Sequence, residues 1–139
     1  MLMVDGASRG NPGEAGCGAV IYGETGKTLR ELCRYLGHAT NNVAEYEGLL
    51  MGLEEVLRLG GQRLRVESDS QLLVRQLNGL YRVKDRKLSQ LHHKAQGLLR
   101  QLDTYRIIHV RREQNRVADR LANQAIDDAN KKGLRVRDF

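Results

Sequence analysis

The sequence predicts an α/β fold, with a five-stranded mixed sheet flanked by helices and the element order βββαβααβα. Two observations carry this prediction. The apolar residues of 1–37 form short runs separated by turn residues, whereas those from Tyr46 onward follow the three- and four-residue spacing of helices. Helical segments then separate two further strand-like runs, and a helical crossover favours parallel strands. The first three strands should therefore be antiparallel, and the fourth and fifth should run parallel to the first.

The N-terminal third is predicted to form an antiparallel meander. Residues 1–4 are a short apolar run that ends at Asp5, which indicates a buried strand followed by a turn. Residues 15–22 form the second strand and residues 27–37 the third, with the glycine-containing turn 23–26 between them. Short turns between consecutive strands are typical of antiparallel neighbours.

The rest of the chain alternates between helical and strand patterns. The first helix should stop at Gly60 and Gly61, since glycine is favoured just beyond a helix C-terminus. The remaining elements are a strand over 64–68, a short helix that ends near 78–79, a longer helix carrying the apolar positions of 88–102, a strand over 105–110 and a last helix over 118–129.

Chain length and composition indicate a single domain spanning residues 1–139, with a loosely ordered tail at 131–139. No apolar run approaches the roughly 20 residues of a membrane-spanning helix, and the N-terminus lacks the pattern of a secretory signal. We therefore expect a cytoplasmic protein with no membrane partner, and a monomer. Cys17 and Cys33 are predicted to be reduced and buried, because two cysteines are too few for a disulfide framework.

The net charge of +6 favours polyanionic partners such as nucleic acid. Residues 75–94 carry six basic side chains against one acidic side chain, Asp85. A second basic cluster lies within residues 106–116. Solvated helix faces are an equally good explanation of both clusters when they are considered alone.

Four carboxylates lie in separate sequence contexts, each at a predicted strand end or in the first turn of a predicted helix: Asp5, Glu45, Asp69 and Asp119. In an α/β sheet such ends converge on one crevice. Hard divalent cations need clustered oxygen ligands, and two cations held together can hydrolyse a phosphodiester. A simple turn at Asp5 and Gly6 is the alternative explanation for the first of these acids.

Helix capping offers an alternative explanation for the other three acids. Asn42 and Glu45 match the N-cap and N3 positions of a capping box. Asp69 could help to start the helix that follows the fourth strand. Asp119 lies four residues after Asn115, a candidate N-cap, where the helix dipole favours a carboxylate. The joint pattern favours a metal site, because clustered acids repel one another unless a cation neutralises them.

Four segments together resemble the motifs of type 1 ribonuclease H: residues 5–13, 40–46, 68–71 and 115–122. The resemblance runs in order from residue 1 to about residue 130 and includes the specific patterns DGxxxGNPG and TNNxxE. It implies the ribonuclease H fold, whose element order agrees with the one predicted from periodicity.

The resemblance also implies an activity, which is hydrolysis of the RNA strand of an RNA/DNA hybrid with 5′-phosphate and 3′-hydroxyl ends. Two Mg²⁺ ions are the expected cofactors, and Mn²⁺ is an alternative. Asp5 would bridge both ions, and Glu45, Asp69 and Asp119 would complete their coordination. Double-stranded RNA is a conceivable second substrate, because its A-form duplex and 2′-hydroxyls resemble those of the hybrid.

Five further residues match substrate-binding positions of the family. Asn11, Asn42 and Gln71 would contact the RNA strand through 2′-hydroxyls and bases, and an amide can both donate to and accept from a hydroxyl. Thr40 and Asn41 would grip a phosphate of the DNA strand near a helix start. Capping alone is the alternative for the residues of the TNN segment.

The chain departs from the family pattern at two places. Many members carry a histidine on a mobile loop before the last Asp, whereas His109 is predicted to belong to the fifth strand and so to lack that role. The sequence between Gly79 and Leu88 is also too short for the basic insertion of some members, so the chain resembles the compact forms. Two other functions stay open, namely a catalytically silent hybrid-binding module and a related nuclease of the same fold.

Overall fold

The computed structural model describes residues 1–137, and it describes side-chain surroundings for residues 1–131. Five strands and four helices appear in the predicted order. The strands are β1 (Leu2–Arg9), β2 (Gly13–Tyr22), β3 (Thr28–Ala39), β4 (Arg63–Ser68) and β5 (Thr104–His109). The helices are α1 (Asn41–Arg58), α2 (Gln71–Leu77), α3 (Arg86–Leu99) and α4 (Arg116–Arg137), and a 3₁₀ turn, Arg112–Gln114, precedes α4.

The five strands form one mixed sheet in the order β3-β2-β1-β4-β5. β1 pairs antiparallel with β2, and β2 pairs antiparallel with β3. β4 runs parallel to β1 on its other side, and β5 runs parallel to β4. The predicted mixed sheet is confirmed. The chain between α2 and α3 is a short connection over residues 78–85, which confirms the compact form without a basic insertion.

Strand β1 is longer than the sequence predicted. It continues to Arg9, and Asp5 lies inside it opposite Gly18 of β2. The predicted strand end and turn at Asp5 and Gly6 are therefore wrong. The cause is that β2 pairs with β1 along its whole length, so the turn comes only afterwards, where Gly10 has a φ of 109°.

The helix starts also differ from the predicted caps. Thr40 caps α1, with its hydroxyl oxygen 3.2 Å from the backbone nitrogen of Val43, so the predicted capping box of Asn42 and Glu45 is wrong. Ser70 caps α2 in the same way, so Asp69 does not. The Ser or Thr directly before each helix is the cap in place of the predicted residue, because its oxygen reaches the orphan N–H groups of the first turn.

The helices cover the two faces of the sheet unequally. Helix α1 packs on β1 and β2 and against α3, over a large apolar core that includes the fully buried Leu49, Leu53 and Leu99. Helix α4 packs on the opposite face, against β1, β2 and β3. The apolar cluster under α4 is small and consists of Met3, Val20 and Leu121.

Both cysteines are free thiols, but only Cys17 is buried as predicted. Cys33 is exposed because β3 is an edge strand and the preceding residue, Leu32, is the one that packs against the core. Helix α4 extends into the predicted tail 131–139, whose last two residues lie outside the described part. Across residues 1–137, no helix is both long and apolar enough to cross a membrane.

Candidate active site

Three carboxylates meet where β1, β4 and α1 come together. Asp5 projects from the middle of β1 and is only 4% exposed. Glu45 lies near the start of α1, and Asp69 directly follows β4. One oxygen of each side chain lies within 4.8 Å of the others, a spacing that a shared cation could span.

Gly6 allows α1 to approach β1 this closely. A Cβ atom at Gly6 would lie 2.3 Å from the backbone nitrogen of Glu45, so any other residue would push the helix away. The backbone N–H of Gly6 donates to Asp5 Oδ1 at 2.9 Å and to Glu45 Oε2 at 3.1 Å. One backbone group therefore holds both carboxylates at the same point.

The fourth predicted acid, Asp119, lies in the first turn of α4 and lines the same cleft of about 570 Å³. It does not belong to the group whose oxygens lie within 4.8 Å of one another. Its position is fixed by Asn123, whose side-chain amide donates to the Asp119 backbone carbonyl at 3.0 Å and faces its carboxylate at 3.4 Å. A Cβ atom at Gly18 would lie 2.4 Å from the carbonyl oxygen of Ala118, so β2 lets α4 come this close.

The electrostatics of the cleft favour a bound cation. Burial, then the charge of Asp69, and then the hydrogen bond and charge of Asp119 together raise the pKa of Asp5 to about 8. Burial also raises the pKa of Glu45 well above its ordinary range, followed by the charges of Asp5 and Asp69. Within residues 1–131, no Lys or Arg forms an ion pair with any of the four acids. The donor set is hard oxygen with uncompensated charge, which fits divalent cations such as Mg²⁺.

Asn115 connects three elements of the site, although the sequence indicated only a helix cap there. The residue is 1% exposed and directly precedes α4. Its Nδ2 donates to the backbone carbonyl of Val4 at 2.8 Å and lies 3.4 Å from Asp69 Oδ1, while its own Oδ1 has no hydrogen-bond partner. These contacts hold the start of α4 against the middle of β1 and the residue that follows β4.

Four of the five predicted substrate-binding residues divide between two clefts. Asn41 lines the cleft of the four acids. Asn11, Thr40 and Asn42 line a neighbouring cleft of about 670 Å³, and Asn11 Oδ1 accepts from the backbone N–H of Asn41 at 3.0 Å. Gln71 is exposed at the first position of α2 and lines neither of these two clefts.

His109 lies at the end of β5, as predicted. Its Nε2 is 3.3 Å from the backbone carbonyl oxygen of Asp69. The acidic cleft also contains Arg9, Arg112 and Asn123, to which the sequence motifs gave no role. They were missed because each lies at an unspecified position inside a motif or just outside one, and no local pattern marks them.

Comparison with known proteins agrees with this geometry. The protein-family model described as reverse transcriptase-like matches residues 3–125. Ribonuclease HI of Halobacterium salinarum is 42% identical over 125 residues, which are 90% of this chain and 63% of that protein. The bifunctional protein Rv2228c of Mycobacterium tuberculosis is 45% identical over 130 residues, which are 93% of this chain but 36% of that protein. The chain therefore spans about a third of the mycobacterial relative and less than two thirds of the halobacterial one.

Solved structures give the same result. The crystal structure of RNase H1 from Halobacterium salinarum superposes with a TM-score of 0.89 at 41% identity, covering 91% of this chain and 96% of that one. LC11-RNase H1, solved in complex with an RNA/DNA hybrid, superposes with a TM-score of 0.88 at 41% identity, covering 92% of this chain and 96% of that one. The order of the elements, the acidic cleft and these similarities lead to one conclusion: the chain belongs to the type 1 ribonuclease H family.

Proposed function

We propose that this chain is an endoribonuclease that hydrolyses the RNA strand of RNA/DNA hybrids and leaves 5′-phosphate and 3′-hydroxyl ends. The observation that carries the proposal is the convergence of Asp5, Glu45 and Asp69 within 4.8 Å in a cleft without a neutralising basic partner in the described residues. A relative of 41% identity was solved with a hybrid bound, which supports this substrate for a cleft of the same architecture.

The four acids are the proposed catalytic residues and metal ligands. Asp5 is the proposed shared ligand of two Mg²⁺ ions. Its carboxylate and that of Glu45 accept hydrogen bonds from the same Gly6 N–H, and Asp69 and Asp119 both lie close enough to raise its pKa. When bound, the ions supply Lewis acidity for the attacking water and the leaving oxygen, and Mn²⁺ could replace Mg²⁺. Because the pKa values of Asp5 and Glu45 are raised, cation binding is proposed to be coupled to loss of protons from these acids and to strengthen as the pH rises.

The RNA strand is proposed to contact Asn11, Asn42 and Gln71. Asn42 and Gln71 are exposed, so their amides can reach a ligand without a change in the fold. The carbonyl oxygen of the Asn11 side chain is already engaged by the backbone of Asn41, which leaves its NH₂ group to donate. Donors and acceptors of this kind suit the 2′-hydroxyl that distinguishes RNA from DNA.

The DNA strand is proposed to place a phosphate beside Thr40 and Asn41. The Thr40 oxygen accepts from the N–H of Val43, so its own O–H remains free to donate to a phosphate oxygen. The start of α1 adds the positive end of the helix dipole. Lys87 lines the neighbouring cleft and would contribute positive charge beside the same strand.

The proposal extends to the working form of the protein, which we take to be a cytoplasmic monomer. A catalytically silent hybrid-binding module is less well supported, because all four acids are present and three of them converge. A DNA-cleaving relative of the same fold is less well supported too, because the three amide side chains suit a ribose hydroxyl.

The test is strand-specific cleavage. The purified chain is incubated with a hybrid labelled on either the RNA or the DNA strand, with Mg²⁺ or with EDTA, and double-stranded RNA is a third substrate. We expect only the RNA strand of the hybrid to be cut readily, only with metal, and with ligatable 5′-phosphate ends. Asp69→Asn should remove this activity, whereas Asp103→Asn should not, since Asp103 is an exposed acid just before β5, at the opposite end of that strand from the site.

Two outcomes would redirect the assignment. Hybrid binding without cleavage in Mg²⁺ or Mn²⁺ would favour the silent binding module. Cleavage of the DNA strand would favour a related nuclease of the same fold.

A further inference from the structure

Arg9 occupies the rim of the acidic cleft. It is the last residue of β1 and lies on the same side of the strand as Asp5, because side chains four positions apart on a strand face the same way. The two Cα atoms are separated by roughly 13 Å at the usual rise of a strand. Arg9 lines the cleft together with the acids, and its side chain is 41% exposed.

Helix α4 holds the Arg9 guanidinium in place. Arg9 Nη1 lies 2.8 Å from Asp127 Oδ1, and Arg9 Nη2 donates to Asn123 Oδ1 at 3.3 Å. A guanidinium carries five N–H donors, so these contacts leave donors free for a ligand.

The positive charge of Arg9 lies at the rim of the cleft, where it can attract phosphates that lie beyond the acidic centre. The four acids repel a phosphate backbone, and a bound cation would neutralise only the centre of the cleft. Asp5 and Arg9 line the same cleft, so a nucleic acid strand that places one phosphate at Asp5 and follows β1 brings a later phosphate to Arg9. A planar guanidinium binds phosphate oxygens in a bidentate manner, which suits this position.

We propose that Arg9 is a substrate-binding residue that contacts a backbone phosphate of the RNA strand, to one side of the phosphate that is cut. The proposal rests on the proposed function, because it takes the strand bound at the carboxylates to be the RNA strand. Neither the sequence motifs nor the comparisons give Arg9 this role. Asn123, which contacts both Arg9 and Asp119, connects this contact to the acidic centre.

The test is the salt dependence of hybrid binding by Arg9→Gln, measured by fluorescence anisotropy in EDTA so that no cleavage occurs. Loss of one phosphate contact should reduce the slope of log affinity against log salt by about 1. Affinity at low salt should fall about tenfold, the usual effect of losing one hydrogen bond to a charged group. In Mg²⁺, KM should rise by a similar factor while kcat changes little.

Two matched variants separate contact from structure. Arg58→Gln removes an exposed, ion-paired arginine at the far end of α1, and it should leave the slope unchanged. Asp127→Asn breaks the ion pair of Arg9 but keeps its charge, so hybrid affinity should hold or increase. If Arg9 mattered only by tying α4 to β1, Asp127→Asn would reproduce the loss.

The outcomes also separate this proposal from the proposed function. A wild-type protein that binds and cleaves the hybrid, beside an Arg9→Gln variant with an unchanged slope, would overturn the role of Arg9 alone. A reduced slope for Arg9→Gln, together with a wild-type protein that binds the hybrid but never cleaves it, would support the phosphate contact and refute the nuclease activity. A wild-type protein that neither binds nor cleaves the hybrid in Mg²⁺, which offsets the repulsion by the acids, would overturn both.

Discussion

The two faces of the sheet are built for different purposes. The face under α1 is filled by large apolar side chains such as Leu49 and Leu53, which are fully buried. On the face under α4 the apolar cluster formed by the residues with described side chains has three buried members, and the helix approaches β2 through glycines. Cβ atoms at Gly16 and Gly18 would lie 2.6 Å and 2.4 Å from backbone oxygens of α4. The first face provides bulk for stability and one close contact between helix and strand at Gly6, whereas the second face packs mainly by close approach of α4 to β2.

The close approach of α4 to the sheet brings Asp119 into the acidic cleft. Asp119 on α4 can act beside Asp5 on β1 only if the helix backbone lies against the sheet, and Gly18 permits this contact. The cleft itself works against stability, because it buries like charges. Substitutions in the two regions should therefore have opposite effects on activity and on stability.

The largest effect is expected from Asp5→Asn. The variant keeps the size of the side chain but removes the proposed shared metal ligand, so cleavage of the hybrid should fall by about a thousandfold or more. Stability at pH 8 without metal should hold or increase, because a buried charge is lost. Single-turnover cleavage and thermal melting measure the two effects, and a variant that unfolds would show that Asp5 is structural.

Leu53→Ala should have the opposite effect to Asp5→Asn, because it should lower stability and leave cleavage nearly unchanged. Removing this fully buried side chain leaves a cavity in the core under α1 and should cost about 2–5 kcal/mol of unfolding free energy. Cleavage per folded molecule should be nearly unchanged at a temperature well below the melting point. Urea denaturation gives the free energy, and a large drop in cleavage by fully folded protein would contradict the division between the two faces.

Gly18→Ala tests whether the close contact between β2 and α4 positions Asp119 in the cleft. The added methyl group would displace α4 and with it Asp119, and a misplacement of about 1 Å can cost about a hundredfold in rate. Strain should cost only about 1–3 kcal/mol of unfolding free energy. Cleavage rates and urea denaturation of the same preparation decide the point, and full activity would show that α4 tolerates the shift.

Gly97→Ala is the matched control and the smallest expected effect. Gly97 lies within α3, where an added Cβ atom meets no atom within 4 Å. Alanine should therefore stabilise the helix by about 0.5–1 kcal/mol, with cleavage unchanged. A loss of stability in urea denaturation would mean that the space around α3 is tighter than it is in the structure.

Much of this architecture could be predicted from the sequence because its signals are local. The change in hydrophobic spacing after the third strand marks the start of the helical segments, and glycines at 60–61 mark the end of α1. The motif around Asp5 and the motif around Glu45 identify two of the acids without any knowledge of the fold. Their convergence follows from the parallel pairing of β1 with β4 and the packing of α1.

The remaining features depend on contacts between distant parts of the chain. The hydrogen bond from Asn115 to Val4 joins residues 111 positions apart, and the ion pair of Arg9 and Asp127 spans a similar separation. Asp5 seemed to end a strand because only its pairing with β2 shows that the strand continues. Cap choice failed for a different reason, because Thr40 and Asn42 are both good caps and their order relative to the first turn decides between them.

The central claim is that the clustered acids of the cleft lower the stability of the metal-free protein, and that bound divalent cations offset this loss. Its most direct test is the unfolding free energy of wild type and Asp5→Asn between pH 5 and pH 9, with and without Mg²⁺. The pKa of Asp5, raised from 3.8 to about 8, means that the folded protein holds this proton more tightly than the unfolded chain does.

The contribution of Asp5 to stability is therefore complete below about pH 4 and is lost as the pH rises through about 8. We expect the wild type without metal to lose stability relative to Asp5→Asn over this range, and Mg²⁺ to restore stability to the wild type only. Wild-type curves that coincide with and without saturating Mg²⁺ at pH 8 would contradict the claim.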